Sequence, residues 1–404
     1  MVGWKTKTLG EVLLKTETIN PALLPDKEFD YIDVSSVSNE TYVVEATKRL
    51  KGRDAPSRAR RHVRPGDVLL ATIRPTLKRI AVVPPELDGQ VCSTGYFVLR
   101  PCSEIDHRFL FYSLFTEQFM GAMESLQKGA SYPAVTDAEV RAQPLSYPTL
   151  LEQRRIVAIL DEAFEVIATV KANGERNLQN ARELFESVMQ LLFSGHGPSW
   201  TERTLEDVCE ISSKLVDPRE PAYLDLPHIG AGNVESKSGA VVDVKTAREE
   251  QLISGKFLFH ENSVLYSKIR PYLMKVVRPA FSGLCSADIY PLVPKSGRID
   301  RDYLYYLLLT PSFTEYAIKG SARAGMPKVN RAHLFAYRSW MPSIQEQARL
   351  AARLDALVDE TQRLAEVSDA KLAALDELKK SLLHQAFTGA LTAISTDEKL
   401  EAVA

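Results

Sequence analysis

The 404 residues are 45% hydrophobic and 25% charged, with 20 glycines and 22 prolines, which excludes a disordered, collagen-like or purely coiled-coil chain. At roughly 150 residues per domain, the length predicts two or three domains, each able to bury a core. The net charge of −2 excludes a protein coated in basic charge, but it conceals an asymmetry: residues 1–148 carry +1, 149–195 −2, 196–342 +3 and 343–404 −4.

The opening MVGWKTKTLG has no apolar signal segment, and no run reaches the ~18 apolar residues of a membrane span, which predicts a cytoplasmic protein without membrane contact. Block 1–148 holds strand-length apolar runs at Val68–Ile73, Ile80–Val83 and Tyr96–Arg100, bounded by Gly or Pro. From Leu150 to Phe193 there is no Pro and one Gly. Leu160, Phe164, Ile167, Leu178, Ala181, Phe185, Val188 and Leu192 recur there at three/four spacing, predicting a helix over 149–195. Block 196–342 repeats the strand pattern at Ser263–Ile269 and Asp288–Val293. In 343–390 the stripe is Leu350, Leu354, Leu357, Leu364, Leu375, Leu378 and Leu382, and 391–404 reads as a flexible tail. Gly195 and Gly389 stand where helix C-caps belong. Cys92, Cys102, Cys209 and Cys285 form no CxxC pair, which predicts reduced core cysteines and no zinc site.

The chain repeats itself. Trp4 with Thr8-Leu9 returns as Trp200 with Thr204-Leu205, and the Ile-Arg-Pro at 73–75 returns at 269–271, both at an offset of 196. An offset of 194 then relates Ile105-Asp106 to Ile299-Asp300, Tyr112 to Tyr306, Pro133 to Pro327, Pro148 to Pro342, Glu152-Gln153 to Glu346-Gln347, and Phe193 to Phe387. Ordered matches with so few gaps mark a duplication. The first helix leaves block one and ends just before block two, so it bridges them; about 44 residues span ~66 Å. If the second helix packs its stripe on the first, it runs back, so the pair is antiparallel. The predicted fold is α+β: two pseudo-twofold-related mixed α/β domains separated by a long antiparallel two-helix coiled coil.

Common enzyme signatures are missing. His228-Ile229-Gly230-Ala231-Gly232 supplies two of the three glycines of GxGxxG without a following helix pattern, and there is no P-loop, HExxH or GxSxG. Asp225, Glu235 and Lys237 imitate a nuclease set that the other repeat lacks, and the seven histidines are scattered. What the blocks share is basic residues interleaved with aromatics. Lys51 to Arg64 carries Arg58, Arg60 and Arg61 against the single acid Asp54, suiting either a phosphate-facing or a solvated loop. Arg74 with Lys78 and Arg79 matches Arg270 with Lys268, Lys275 and nearby Arg278, and a Pro after Arg predicts an extended turn presenting the guanidinium. Such an arginine equally suits a buried carboxylate partner. Lys128-Gly129-Ala130-Ser131-Tyr132-Pro133 matches Arg323-Ala324-Gly325-Met326-Pro327-Lys328, where small residues admit a close ligand or make an ordinary turn. The leucine stripes suit each other, leaving charged outer helix faces as two related docking surfaces for other proteins.

These residues resemble the specificity subunits of type I restriction-modification systems over nearly the whole chain. The similarity rests on Trp4 with Leu9-Gly10-Glu11-Val12, Gly66-Asp67-Val68-Leu69-Leu70, and Pro148-Thr149-Leu150-Leu151-Glu152-Gln153-Arg154-Arg155-Ile156-Val157, with second copies around Trp200, Asn262 and Pro342. The resemblance implies a non-catalytic DNA reader with target recognition domains at 1–148 and 196–342, each reading one half of a split target in double-stranded DNA. It implies two modification subunits that bring S-adenosylmethionine and methylate adenine, and restriction subunits that bring ATP and Mg. Glu152, Gln153, Arg154, Glu346, Gln347 and Arg349, at the helix entries, are the docking candidates. Asn262-Ser263 stands where the first copy has Gly66-Asp67, so that loop need not be alike in both. Rival readings are a nuclease or methyltransferase with diverged motifs, which predicts turnover by the isolated chain, and a bivalent protein scaffold, which predicts no salt-sensitive DNA binding.

Overall fold

The structure is a computed structural model that describes residues 3–195, 197–211, 214–321 and 326–392. The chain divides into unit 1, residues 1–174 with 369–404, and unit 2, residues 175–368.

Unit 1 begins with strand β1 (Lys5–Thr8), which leads into helix α1 (Leu9–Val12) through a capping box between Thr8 and Glu11, and continues as β2 (Leu13–Leu14). Strands β3 (Glu28–Ile32), β4 (Lys48–Lys51), β5 (Ala59–His62), β6 (Val68–Ala71), β7 (Ile80–Val82), β8 (Val91–Ser93) and β9 (Tyr96–Pro101) follow. Then come α2 (His107–Ser113), α3 (Glu117–Leu126), α4 (Asp137–Arg141), β10 (Pro144–Tyr147) and the 45-residue helix α5 (Leu150–Ser194). One sheet has the order β2-β9-β6-β7 and a second β4-β3-β8-β5, in which β3 and β8 are parallel; β1 pairs with β10. Val68, Leu70, Phe97 and Leu99 point from the first sheet into the core beneath α2 and the long helices, while Leu69, Ala71, Tyr96 and Val98 point into the space shared with the second sheet. The period-two alternation of these strands assigns each residue to its face.

Unit 2 repeats the plan with β11 (Thr201–Thr204), α6 (Leu205–Val208), β12 (Cys209–Glu210), β13 (Leu215–Val216), β14 (Pro227–Ile229), β15 (Lys245–Thr246), β16 (Lys256–Phe259), β17 (Val264–Ser267), β18 (Val276–Val277), β19 (Gly283–Cys285) and β20 (Ile289–Pro294). It ends in α7 (Arg301–Leu307), α8 (Pro311–Lys319), α9 (Arg331–Phe335), β21 (Arg338–Met341) and the 45-residue α10 (Ile344–Thr388). Sheet β12-β20-β17-β18 matches the first sheet of unit 1. The other, β13-β16-β19-β14-β15, gains an edge strand where unit 1 has only a bridge between Thr18 and Arg61. The strand runs read from sequence thus form β6, β7, β9, β17 and β20.

Both long helices contribute to both units. In unit 1, Ile156, Leu160 and Phe164 of α5 share a core with Leu383, Ala386 and Phe387 of α10. Lys171 pairs with Asp376, and the Lys379 ammonium lies 4.9 Å from the Phe164 ring centre, so the two helices run in opposite directions there. In unit 2, Phe185, Val188 and Met189 meet Leu350, Ala351 and Leu354. Gly389 is left-handed at φ +75, as expected of a C-cap, whereas Gly195 has no positive φ. Cys92, Cys209 and Cys285 are buried, Cys102 is half-buried, and all four are free thiols; burial pushes the Cys92 thiol up to about 12. Among the described residues no helix is long and apolar enough to cross a membrane.

Candidate functional site

In each unit the repeated Ile-Arg-Pro sits in a tight reversal between two strands of the first sheet. Arg74 and Arg270 both have φ 50, with ψ 58 and 61. The expected extended conformation is therefore wrong at both positions: the residue before proline is left-handed. The cause is a third segment. The Arg74 N–H donates to the Pro133 carbonyl at 2.6 Å and that of Arg270 to Pro327 at 2.9 Å, and bridges join Ile73 to Ala134 and Ile269 to Lys328. A one-turn 3-10 helix follows, closed by a second left-handed residue, Lys78 or Met274. Left-handed non-glycine residues cost about 1 kcal/mol or more each, so surrounding bonds hold these turns in place.

The fold brings the two basic segments together. The Arg74 guanidinium donates to the Ser131 carbonyl at 3.1 Å and lies 5.3 Å from the centre of the Tyr132 ring, which is 73% exposed. Lys128, on the same segment, faces Glu139 at 3.2 Å, and hydrogen bonds from Thr136 with help from Lys128 hold the Glu139 carboxyl down to about 2. In unit 2, Arg270 is exposed, with exposed Tyr272 two residues on. Lys328 pairs with Asp288 at 3.3 Å. Arg323 lies outside the described residues. Tyr272 was missed in the sequence because its first-repeat counterpart is Thr76; only its adjacency to the matched arginine points to it.

Other candidates are committed inside the fold. Arg79 donates to the Val37 carbonyl, Lys268 to Ala287, and Lys275 to Ala231 at 2.7 Å. Burial, with Lys328 nearby, lowers the Lys268 pKa. Arg61 pairs with Asp137 at 2.8 Å, and Arg60 donates to the adjacent Ala59 carbonyl at 2.9 Å. Arg58 is exposed and Lys78 half-buried. Arg278 turns away from the turn to meet Asp355 and Asp302. The nuclease imitation dissolves: Asp225 binds Arg248 at 2.9 Å, Glu235 accepts from the Ser238 hydroxyl at 3.2 Å, and Lys237 faces Glu186 at 3.7 Å. The Gly230-Ala231-Gly232 turn opens no helix, and Asn233 Oδ1 accepts its Gly230 N–H at 2.9 Å.

The docking candidates divide. Gln153 is 0% exposed; its Oε1 accepts the Asp106 N–H at 2.8 Å and its Nε2 donates to the Glu104 and Pro148 carbonyls at 2.9 and 3.0 Å. Gln347, 1% exposed, accepts from Asp300 N–H at 2.8 Å and donates to Pro342 at 2.9 Å. Neither is a docking surface. Asp106 and Asp300 cap α2 and α7 through their side chains, so each glutamine ties the entry of a long helix to the start of a short one. Glu152 and Glu346 are half-buried in the first turn, where a carboxylate suits the helix dipole. Arg154 and Arg349 remain exposed. The Asn262-Ser263 departure is also explained. Asp67, 1% exposed, takes two 2.8 Å bonds from Arg100, whereas Ser263 fills the same place as a neutral hydroxyl accepting the His260 N–H.

The family of the type I restriction modification DNA specificity domain matches residues 1–177 and again 198–369. The specificity subunit of the type I restriction enzyme EcoDI from Escherichia coli is 26% identical over 299 residues, 66% of this chain and 66% of that one. The HindI specificity subunit from Haemophilus influenzae is 29% identical over 196 residues, 46% of this chain but 41% of its own length. The chain therefore spans just under two thirds of the first relative and less than half of the second. Among solved structures, a chain from a type I R-M system studied for complex assembly and conformational transition superposes with a TM-score of 0.82 at 27% identity, covering 97% of this chain and 99% of that one. The HsdS subunit from Thermoanaerobacter tengcongensis gives 0.67 at 29% identity, covering 96% and 98%.

Proposed function

The chain belongs to the type I restriction modification DNA specificity family, and from that premise we infer that it reads DNA sequence for a type I restriction-modification enzyme and has no catalysis of its own. Recognition domains at 1–148 and 196–342 each take one half of a split target, and the helices at 149–195 and 343–390 join them. Two modification subunits supply S-adenosylmethionine and methylate adenine; restriction subunits supply ATP and Mg for translocation and cleavage. The complex works in the cytoplasm. Glu152, Arg154, Glu346 and Arg349 are the helix-entry side chains left to meet those subunits.

One observation carries the reading: an exposed arginine on the same strained turn in both units. Strain maintained twice fits a turn shaped by what its side chain must reach. A guanidinium there matches guanine O6 and N7, while Arg58, Lys128 and Lys328 suit phosphates, which fix register without reading sequence. Tyr132 adds an exposed ring beside Arg74. The test is co-expression with the modification subunit and single-molecule mapping of methylated adenines in host DNA. A split motif with a fixed spacer is expected, and a continuous motif overturns the two-reader assignment. A stable complex whose DNA binding is absent at every salt concentration favours the scaffold reading.

A further inference from the structure

Each unit fastens its block to a long helix with the same three chemical groups. In unit 1, Asp161 of α5 accepts hydrogen bonds from the Tyr112 hydroxyl and the Arg108 guanidinium, and Arg108 also donates to the Tyr112 oxygen at 3.1 Å. The guanidinium lies 5.3 Å from the ring centres of both Phe111 and Tyr112. In unit 2, Asp355 of α10 accepts from the Tyr306 hydroxyl at 2.6 Å and from both terminal nitrogens of Arg278, which lies 4.7 Å from the Tyr305 ring centre and 5.4 Å from that of Tyr306. Burial works against the Asp355 charge, yet Arg278 and Tyr306 hold its pKa below the ordinary 3.8.

The carboxylates and tyrosines are related by the offset of 194, but the arginines are not. Arg108 stands on α2, and the equivalent residue of α7 is Asp302, which pairs with Arg278 at 2.9 Å. Arg278 follows β18, and the equivalent residue of β7 is Val82. The guanidinium therefore reaches the same place by two routes. If stability alone were at stake, an apolar contact would serve as well as a partly buried ion pair. What both copies keep is a helix carboxylate held by a tyrosine and an arginine of the block. One residue of helix slip turns a side chain by about 100° and moves it 1.5 Å, so this arrangement admits a single register.

We propose that Asp161 with Tyr112 and Arg108, and Asp355 with Tyr306 and Arg278, are positioning latches that hold each recognition block in one register on its helix and thereby narrow the spacer lengths the enzyme accepts. This rests on the DNA-reading assignment above. The test uses the full chain in the assembled methyltransferase, with a DNA library carrying both half-sites at spacers changed by one or two base pairs. The unsubstituted enzyme methylates one spacer at least about ten-fold better than its neighbours, a gap of about 1.4 kcal/mol. Asp161→Ala, Asp355→Ala and Arg108→Asp flatten that preference while leaving the half-site bases unchanged. Val82→Arg combined with Arg108→Asp transplants the unit 2 route into unit 1 and restores it. If the alanine variants do not fold, Tyr112→Phe and Tyr306→Phe, which remove one hydroxyl each, carry the same expectation. An unchanged spacer profile, an equal loss at all spacers, or failure of the transplanted arginine to restore the preference overturns the latch. An unsubstituted enzyme without a split target overturns the DNA-reading assignment instead.

Discussion

Replacing Gln153 by leucine keeps a side chain of similar size and removes three hydrogen bonds at once. The Asp106 N–H and the Glu104 and Pro148 carbonyls lose their partner. Each orphaned group costs about 1–2 kcal/mol, so Gln153→Leu should destabilise unit 1 by about 3–6 kcal/mol. Gln347 holds two groups, the Asp300 N–H and the Pro342 carbonyl, so Gln347→Leu should cost about 2–4 kcal/mol. The assay is urea denaturation followed by amide hydrogen exchange, because a two-unit chain need not unfold in one step. Protection should fall first at the starts of α2 and α5 in the former variant and at the starts of α7 and α10 in the latter. A Gln153→Leu protein that keeps its stability within about 0.5 kcal/mol, the scatter of ordinary surface substitutions, yet fails to bind the modification subunit would refute the clamp and reinstate docking.

Asp67→Ala strips the buried partner from Arg100 and should cost about 3 kcal/mol or more, while Ser263→Ala should cost about 1 kcal/mol, both by urea denaturation. Glu17 is held down to about 2, chiefly by Arg100 and also by His62. A lowered carboxylate pKa stabilises the fold above the ordinary 4.5 and loses that effect as pH falls toward 2, so the stability gap to Glu17→Gln should be full at pH 6 and close across that window. A gap that widens on acidification would reverse the assignment. Arg74→Gly and Arg270→Gly suit φ 50 better than arginine, so neither should lower the melting temperature. Each should weaken DNA binding by the assembled methyltransferase, with a change in salt slope of about one unit if the lost contact is a phosphate.

The two long helices and the strands β6, β7, β9, β17 and β20 were legible because their patterns are local. The three/four stripe of Leu160, Phe164 and Ile167 has the helical period, and the apolar runs at Val68 and Val264 have strand length between Gly, Pro or polar residues. The antiparallel helix contact followed from chain connectivity and the repeat. Candidate function was less legible, because whether a cation faces solvent depends on distant partners. Arg79, Lys268 and Lys275 share their composition with exposed cations, yet each meets a main-chain carbonyl between 19 and 44 residues away in sequence. Gln153 lies between polar Glu152 and Arg154, so its burial is visible only once the Asp106 cap is in place. The left-handed arginines were misread because proline alone favours an extended predecessor, and the carbonyls that overrule it belong to Pro133 and Pro327.

The two copies also show how such a molecule diverges. Where unit 1 buries Asp67 it supplies Arg100, which bonds Glu17 as well at 2.9 Å; where unit 2 has Ser263 no counter-charge is needed. Where α2 carries Arg108, α7 carries Asp302 and the arginine moves to position 278. In both cases the charge changed together with its compensating partner, since a buried or partly buried charge left alone is destabilising. A chimera that exchanges segments between the copies must therefore carry both members of each pair. Moving α7 into unit 1 without Arg278 would leave Asp302 beside Asp161 with no guanidinium to offset either, and that junction, more than the strands around it, decides whether such a hybrid folds.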